Sequence, residues 1–188
     1  MCTRARQRGI SLIELIMFIV IVSSALAGIL SVMNVTTRAS ADPLVHKQAL
    51  AIAESLLEEV ELMPFSFCDP DDADASTATA PVVGAGGCAT TVEGVGPEAG
   101  ETRYSAVTPF DNVNDYNGFG MATGAILDVT GTNTGVAGYA AAVAVAPAAF
   151  GGIAAADALQ ITVTVTGPDG VPVAVEGMRT RYAPRTLP

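Results

Sequence analysis

The feature that most constrains the fold of this chain is an apolar run close to its N-terminus. Residues 10–33 read ISLIELIMFIVIVSSALAGILSVM, a stretch of 24 residues with one charged side chain, Glu14. A helix needs about 20 apolar residues to cross the hydrocarbon core of a bilayer. The run therefore predicts one membrane-spanning helix, with the rest of the chain folded on one side of the membrane.

The segment before the run, residues 1–9, predicts the orientation of this helix. It contains Arg4, Arg6 and Arg8 and no acidic residue. Because positive flanking charges stay in the cytoplasm, we expect the N-terminus inside and residues 34–188 outside. The apolar run continues into a helical pattern and not into a small-residue cleavage site, so we expect the helix to remain in the mature protein.

Glu14 is the residue that an anchoring role alone does not explain. An acid inside a spanning helix costs roughly 2.5–3.5 kcal/mol on insertion scales. Two explanations are open. Either the carboxylate lies near enough to the membrane interface to stay hydrated, or it has a cationic partner.

Residues 8–16 read RGISLIELI and carry a family resemblance. The string resembles the class III signal of type IV prepilins and type II secretion pseudopilins. The resemblance implies that a prepilin peptidase cleaves after Gly9 and methylates the new amino terminus at Ile10, although Ile10 and Ser11 replace the more usual Phe or Met and Thr. It also implies that Glu14, fifth in the cleaved chain, pairs with the terminal ammonium of a neighbouring subunit.

The same resemblance implies the partners and the location of the chain. The expected partners are the prepilin peptidase, inner-membrane lipid before assembly, and other pilin subunits through the N-terminal helix. The expected location is the bacterial inner membrane and then a pilus filament at the cell surface.

Residues 34–63 form an amphipathic continuation of the helix in the sequence pattern. Apolar residues recur at helical spacing on one face, which we expect the globular domain to cover: Ala49, Leu50, Ala53, Leu56, Leu57 and Val60. Acids occupy the other side: Glu54, Glu58 and Glu61. The residues Asp42 and Pro43 predict a kink or a restart of the helix at this point. Pro64 predicts its end. A continuous helix over residues 10–63 would be about 80 Å long at 1.5 Å per residue.

Residues 64–188 are predicted to form a β-rich globular domain outside the membrane. A Pro-, Gly-, Ala- and Asp-rich loop over residues 65–87 comes first. Short strands are expected over 90–95, 103–108, 125–130 and 139–146. The alternating segment 158–166, the turn at 167–170 and the segment 171–182 predict a hairpin.

The predicted fold class is therefore α+β, with a long N-terminal helix packed on a C-terminal antiparallel sheet, as in type IV pilins. Four further segments are similar to minor pilins of the mannose-sensitive haemagglutinin (MSHA) pilus: residues 41–43, 53–60, 111–118 and 179–182. This likeness implies a minor structural subunit that acts at the filament tip or primes assembly.

Two of the three cysteines, Cys68 and Cys88, lie on the outward side, while Cys2 lies in the leader. An oxidising compartment and an even count predict a disulfide, which would stabilise the domain by about 3 kcal/mol. The alternative is two unpaired thiols.

A loop rich in oxygen ligands, residues 111–118, is a candidate calcium site. Its candidate ligands are Asp111, Asn112, Asn114, Asp115 and Asn117. The loop does not match an EF-hand, since counting back from Gly118 as the sixth position makes Val113 the first, where Asp is required. These side chains are equally typical of turn caps. The acidic run at residues 69–74 is interpreted as solvated surface.

Composition excludes several classes of function. The net charge is −10 and no basic run is present, which argues against nucleic-acid binding. One histidine, His46, is expected to lie exposed on the helix, and few cysteines are present, which disfavours a His/Cys metal site. No nucleophile elbow, P-loop or metal signature indicates an enzyme, and we expect no cofactor.

Two alternatives to a pilin remain open at this point. A minor pseudopilin of a type II secretion system shares every N-terminal feature. A singly anchored periplasmic binding module would keep an uncleaved N-terminus.

Overall fold

The computed structural model describes residue 9 and residues 11–181, without the side chains of residues 35–42. The chain divides into two compact units, Met1–Leu44 and Val45–Pro188. The predicted leader before Gly9, the methylation position Ile10 and the predicted strand end at Tyr182 lie outside the described residues.

One α-helix, α1 (Leu12–Leu62), contributes to both units. Its bounds lie within two residues of the predicted ones, and Met63 donates a hydrogen bond to Val60 O (3.1 Å) that closes the last turn before Pro64. Pro43 lies inside the helix, so the predicted alternative of a restart is wrong. The predicted kink stays a prediction.

In the first unit, the segment Leu12–Asn34 of α1 is apolar on all sides. It has 23 residues, and its most apolar 18-residue stretch has a mean hydropathy of 2.6, so the segment is long and apolar enough to cross a membrane. All of its side chains are exposed in the single chain. A helix that is hydrophobic all round needs lipid or other helices around it.

In the second unit, α1 buries one face, as the sequence pattern predicts. Ala49, Ala53, Leu56 and Val60 are at most 3% exposed. They belong to the same hydrophobic core as the inward side chains of the sheet, and Leu50 and Leu57 pack at the margin of that core. Glu54 and Glu58 are exposed, and Glu61 is half-buried.

Four antiparallel strands form one sheet in the order β1-β2-β3-β4. The strands are β1 (Gly120–Met121), β2 (Ala140–Pro147), β3 (Ala158–Thr166) and β4 (Pro172–Thr180). Val163 pairs with Val143 on one side and Val175 on the other. The predicted hairpin is confirmed, and β2 matches the predicted strand 139–146. An α-helix with a C-terminal antiparallel sheet is thus the observed α+β layout.

Three predicted strands, at residues 90–95, 103–108 and 125–130, are wrong, since each segment consists of turns and isolated bridges. Side-chain hydrogen bonds compete with the sheet in each case. Asp72 accepts the backbone N–H groups of Thr90 and Thr91, and Asp128 accepts that of Thr130. The structure also contains two 3₁₀ helices that the sequence did not predict, η1 (Val113–Tyr116) and η2 (Ala155–Asp157).

Truncating the buried face of α1 should destabilise the second unit. We expect Leu56→Ala to lower the free energy of unfolding by about 2–5 kcal/mol, because it leaves a cavity in the core. The measurement is denaturant unfolding of the detergent-solubilised chain, followed by tyrosine fluorescence, since Tyr116 and Tyr139 are buried. The control is Leu62→Ala, at a side chain that is 81% exposed, and equal losses in the two variants would contradict the packing.

Candidate functional site

The N-terminal site predicted from the sequence lies at the start of α1. Gly9 is exposed and precedes the helix, and Leu15 donates to Ser11 O (3.1 Å) in the first turn. Glu14 is exposed in that turn and forms no ion pair within the described residues. The site thus presents one carboxylate on an apolar helix surface, open to a cation from another molecule.

The disulfide between Cys68 and Cys88 is present, as predicted. Both cysteines are 0% exposed, with a Cα–Cα distance of 5.4 Å. They form a small separate core with Ala78, flanked by Phe67 and Val92. The bond therefore organises a loop region that has little other apolar material.

Asp72 is buried, so the interpretation of the acidic run as solvated surface is wrong for this residue. Its carboxylate accepts backbone N–H groups from both sides of the disulfide loop: Asp74, Ala89, Thr90 and Thr91. The hydrogen bond from Thr91 contributes most to lowering the pKa of Asp72 well below its usual range, although burial opposes the shift. Asp72 thus has a structural role, since its hydrogen bonds join residues 72–74 to residues 89–91.

A charged network joins the loops to α1. Arg103 donates to both carboxylate oxygens of Glu59 at 2.6 Å, and Tyr116 Oη donates to the same carboxylate at 2.8 Å. The Arg103 guanidinium also lies 5.0 Å from the ring centre of Tyr104 and 5.4 Å from that of Phe119. Burial alone would lower the pKa of Arg103, but the bonds to Glu59 raise it above its usual range, so the guanidinium stays charged.

Sequence reasoning missed this network, although one signal was available. Arg103 is the only lysine or arginine between Lys47 and Arg179. A lone cation in a long acidic segment is a candidate for a specific, partly buried ion pair. Nothing in the sequence singles out Glu59 among the four acids of residues 54–61.

Arg181 ties the end of the hairpin to the segment after α1. Its guanidinium lies 3.7 Å from the ring centre of Phe65 and 4.0 Å from that of Phe67. It also donates to Ser66 O and forms an ion pair with Asp157 (3.4 Å). These contacts fix the path of the chain from the helix into the disulfide loop.

The candidate calcium loop is in large part a cap for η1. Asn112 Oδ1 accepts from Asn114 N (3.4 Å), and Asn117 Oδ1 accepts from Val145 N (3.1 Å). Asp115 Oδ2 accepts from the backbone N–H groups of Asp111 and Asn112, which completes a capping box. A calcium loop formed by these five residues alone stays a prediction.

Acids from three separate segments meet beside η1. Carboxylate oxygens of Glu93, Glu98 and Asp115 lie within 4.8 Å of one another, as do those of two further sets, Asp69 with Glu98 and Glu101, and Asp69 with Asp71 and Asp111. Burial, and then the neighbouring negative charges, raise the pKa of Glu93 to about 9 and that of Asp111 to about 7. This clustering was not predicted.

Comparison of the chain with family models, curated proteins and solved structures finds no match.

Removing the charge of Glu59 should destabilise the second unit. Glu59→Gln leaves the Arg103 guanidinium buried without its counter-ion, which costs about 3 kcal/mol. The matched control is Glu58→Gln, one residue away and exposed, which should change the free energy of unfolding by less than about 0.5 kcal/mol. Denaturant unfolding of the full chain is the measurement, and similar values for both variants would show that the ion pair contributes little.

Proposed function

We propose that this chain is a structural subunit of the type IV pilin class. It is made as a prepilin in the bacterial inner membrane, cleaved after Gly9, methylated at Ile10 and assembled into a filament through residues 10–33. The observation that carries the proposal is a membrane-length helix, exposed on all sides, whose one acid follows the cleavage motif at the family spacing.

The physical argument concerns the surroundings of this helix. Lipid covers the exposed side chains of Leu12–Asn34 before assembly, and the helices of neighbouring subunits cover them in the filament. The Glu14 carboxylate is poorly solvated in both environments, and a terminal ammonium of an adjacent subunit would neutralise it. A subunit position that leaves Glu14 without this ammonium has a higher free energy. The pair between Glu14 and the ammonium therefore sets the register between subunits.

The second unit supports a more specific proposal. The loop joined by Cys68 and Cys88 lies early in the domain, and the hairpin end carries Arg181 in the segment that resembles MSHA minor pilins. We therefore propose a minor subunit similar to the minor pilin D of that pilus, non-enzymatic and present at the tip or in the priming complex.

Processing of the N-terminus tests the proposal first. We expect Gly9→Val to block cleavage, because the peptidase must approach a backbone that carries no side chain. The matched control is Gly28→Val, since a Cβ at either glycine has no atom within 4 Å and neither substitution is crowded in the chain itself. Intact precursor in the first variant and mature chain in the second is the expected immunoblot, and normal cleavage of both would refute the family proposal.

The charge of Glu14 should matter for assembly and not for insertion. Glu14→Leu makes the span more apolar, so we expect normal insertion and normal cleavage but reduced recovery in sheared filaments. Glu14→Asp keeps the charge and should be recovered better than Glu14→Leu. The measurement is the level of each variant in the membrane and filament fractions together with co-purification of the other pilins. Equal recovery of the wild type and Glu14→Leu would mean that the carboxylate is not an assembly contact.

A further inference from the structure

The acids beside η1 combine two features that point to a bound cation. Glu93 and Glu98, from one loop, meet Asp115 of η1, with one oxygen of each within 4.8 Å of the others. Asp115 is 0% exposed, and its Oδ1 has no hydrogen-bond partner among the described residues. Both carboxylate oxygens of Glu93 are likewise buried without a donor in the described part of the chain.

Unpartnered carboxylate oxygens are costly in the interior, because burial removes water without replacing its hydrogen bonds. Asp115 Oδ2 is satisfied by the backbone N–H groups of Asp111 and Asn112, so the capping role explains only half of this carboxylate. A cation that accepts lone pairs from Asp115 Oδ1 and from Glu93 would satisfy the carboxylate oxygens that have no hydrogen-bond donor.

Within residues 64–128, all of which the structure describes, no cation is free to fill this role. Residues 64–128 contain ten acids and one base, Arg103, and that arginine is bound to Glu59.

We propose that the chain binds one Ca²⁺ ion through the carboxylates of Glu93, Glu98 and Asp115. The flanking acids Asp69, Glu101 and Asp111 attract the ion. The site lies in the second unit, so it is independent of the proposed filament-forming helix.

The type and the number of the ligands select calcium among the common metal ions. Ca²⁺ takes oxygen ligands at about 2.3–2.6 Å, so two ligands on opposite sides of the ion lie about 4.6–5.2 Å apart. Mg²⁺ needs about 2.0–2.1 Å and retains water, so opposite ligands must close to about 4.0–4.2 Å. The three oxygens lie within 4.8 Å of one another, so one ion of either kind can reach all of them. Mg²⁺ is usually bound through one or two carboxylates, whereas Ca²⁺ takes more ligands from the protein, so three carboxylates favour calcium. Neither of the described cysteines is free, since Cys68 and Cys88 form a disulfide, and this disfavours a soft metal.

Binding would join parts of the domain that no strand connects. Glu93 and Glu98 belong to a loop without regular structure, whereas Asp115 lies in η1, next to the residue that donates to Glu59. We therefore expect calcium to order the segment between the disulfide and Arg103, outside the cell where calcium is abundant. Sites of extracellular modules bind Ca²⁺ with Kd values of about 10⁻⁴–10⁻³ M.

The test uses the full-length, detergent-solubilised chain after chelator treatment. Calcium chloride is titrated by calorimetry, and thermal unfolding is followed with and without the ion. We expect saturable binding of one ion and a higher Tm, with a smaller effect from magnesium chloride. No binding up to about 10 mM calcium would overturn the proposal and leave protons shared between the carboxyl groups as the neutralising species.

Two variants separate a specific site from general charge screening. Glu98→Gln and Glu93→Gln keep the size of the side chain but cannot supply a carboxylate to the ion. Neither substitution adds charge to the acidic cluster, so without calcium each should be at least as stable as the wild type. Both should bind calcium at least about tenfold more weakly and lose the Tm increase. The control, Glu176→Gln on the exposed side of β4, should keep the full response. An unchanged calcium response in both cluster variants, or an equal response to sodium chloride of the same ionic strength, would contradict a specific site.

Discussion

The burial of one face of α1 is the interaction on which the second unit depends. Ala49, Ala53, Leu56 and Val60 supply that face, and without it the inward side chains of a four-stranded sheet would be uncovered. Helix and sheet approach closely at Gly177, where a Cβ would lie 2.9 Å from Leu57 Cδ1. The same helix continues N-terminally as a segment that is apolar on every side. One element therefore has two packing requirements, and only one of them is met within the single chain.

Positive charge is rare in the loops, and each described cation there has a specific structural role. Arg103 joins a loop to α1 through Glu59, and Arg181 joins the hairpin end to the segment that follows α1. The Asp72 carboxylate accepts the backbone N–H groups of Thr90 and Thr91, which would otherwise be available for pairing with a strand. The acids beside η1 have no matching cation within the described residues 64–128, where the one base, Arg103, is bound to Glu59. An external divalent ion would correct this imbalance.

The regular elements could be predicted from the sequence, and the loop architecture could not. The helical spacing in residues 49–60 and the alternation in residues 158–166 are strong local patterns, and the structure follows both. The contacts that decide the loops join residues far apart in the sequence, such as Arg103 with Glu59 at a separation of 44. Residues 90–95 and 103–108 have a local preference for strands, but long-range contacts of this kind hold both segments in irregular structure. The convergence of Glu93, Glu98 and Asp115 depends on the same folding and left no local signature.

We propose that the apolar helix is the processed filament segment of a pilin-class subunit. The most direct test is the intact mass of the wild-type protein extracted from the membrane under non-reducing conditions. We expect the mass of residues 10–188 plus one CH₂ group, added by methylation at Ile10, and less the two hydrogens lost in the Cys68–Cys88 disulfide. A mass that corresponds to an uncleaved chain, or to cleavage after the apolar run, would contradict the claim.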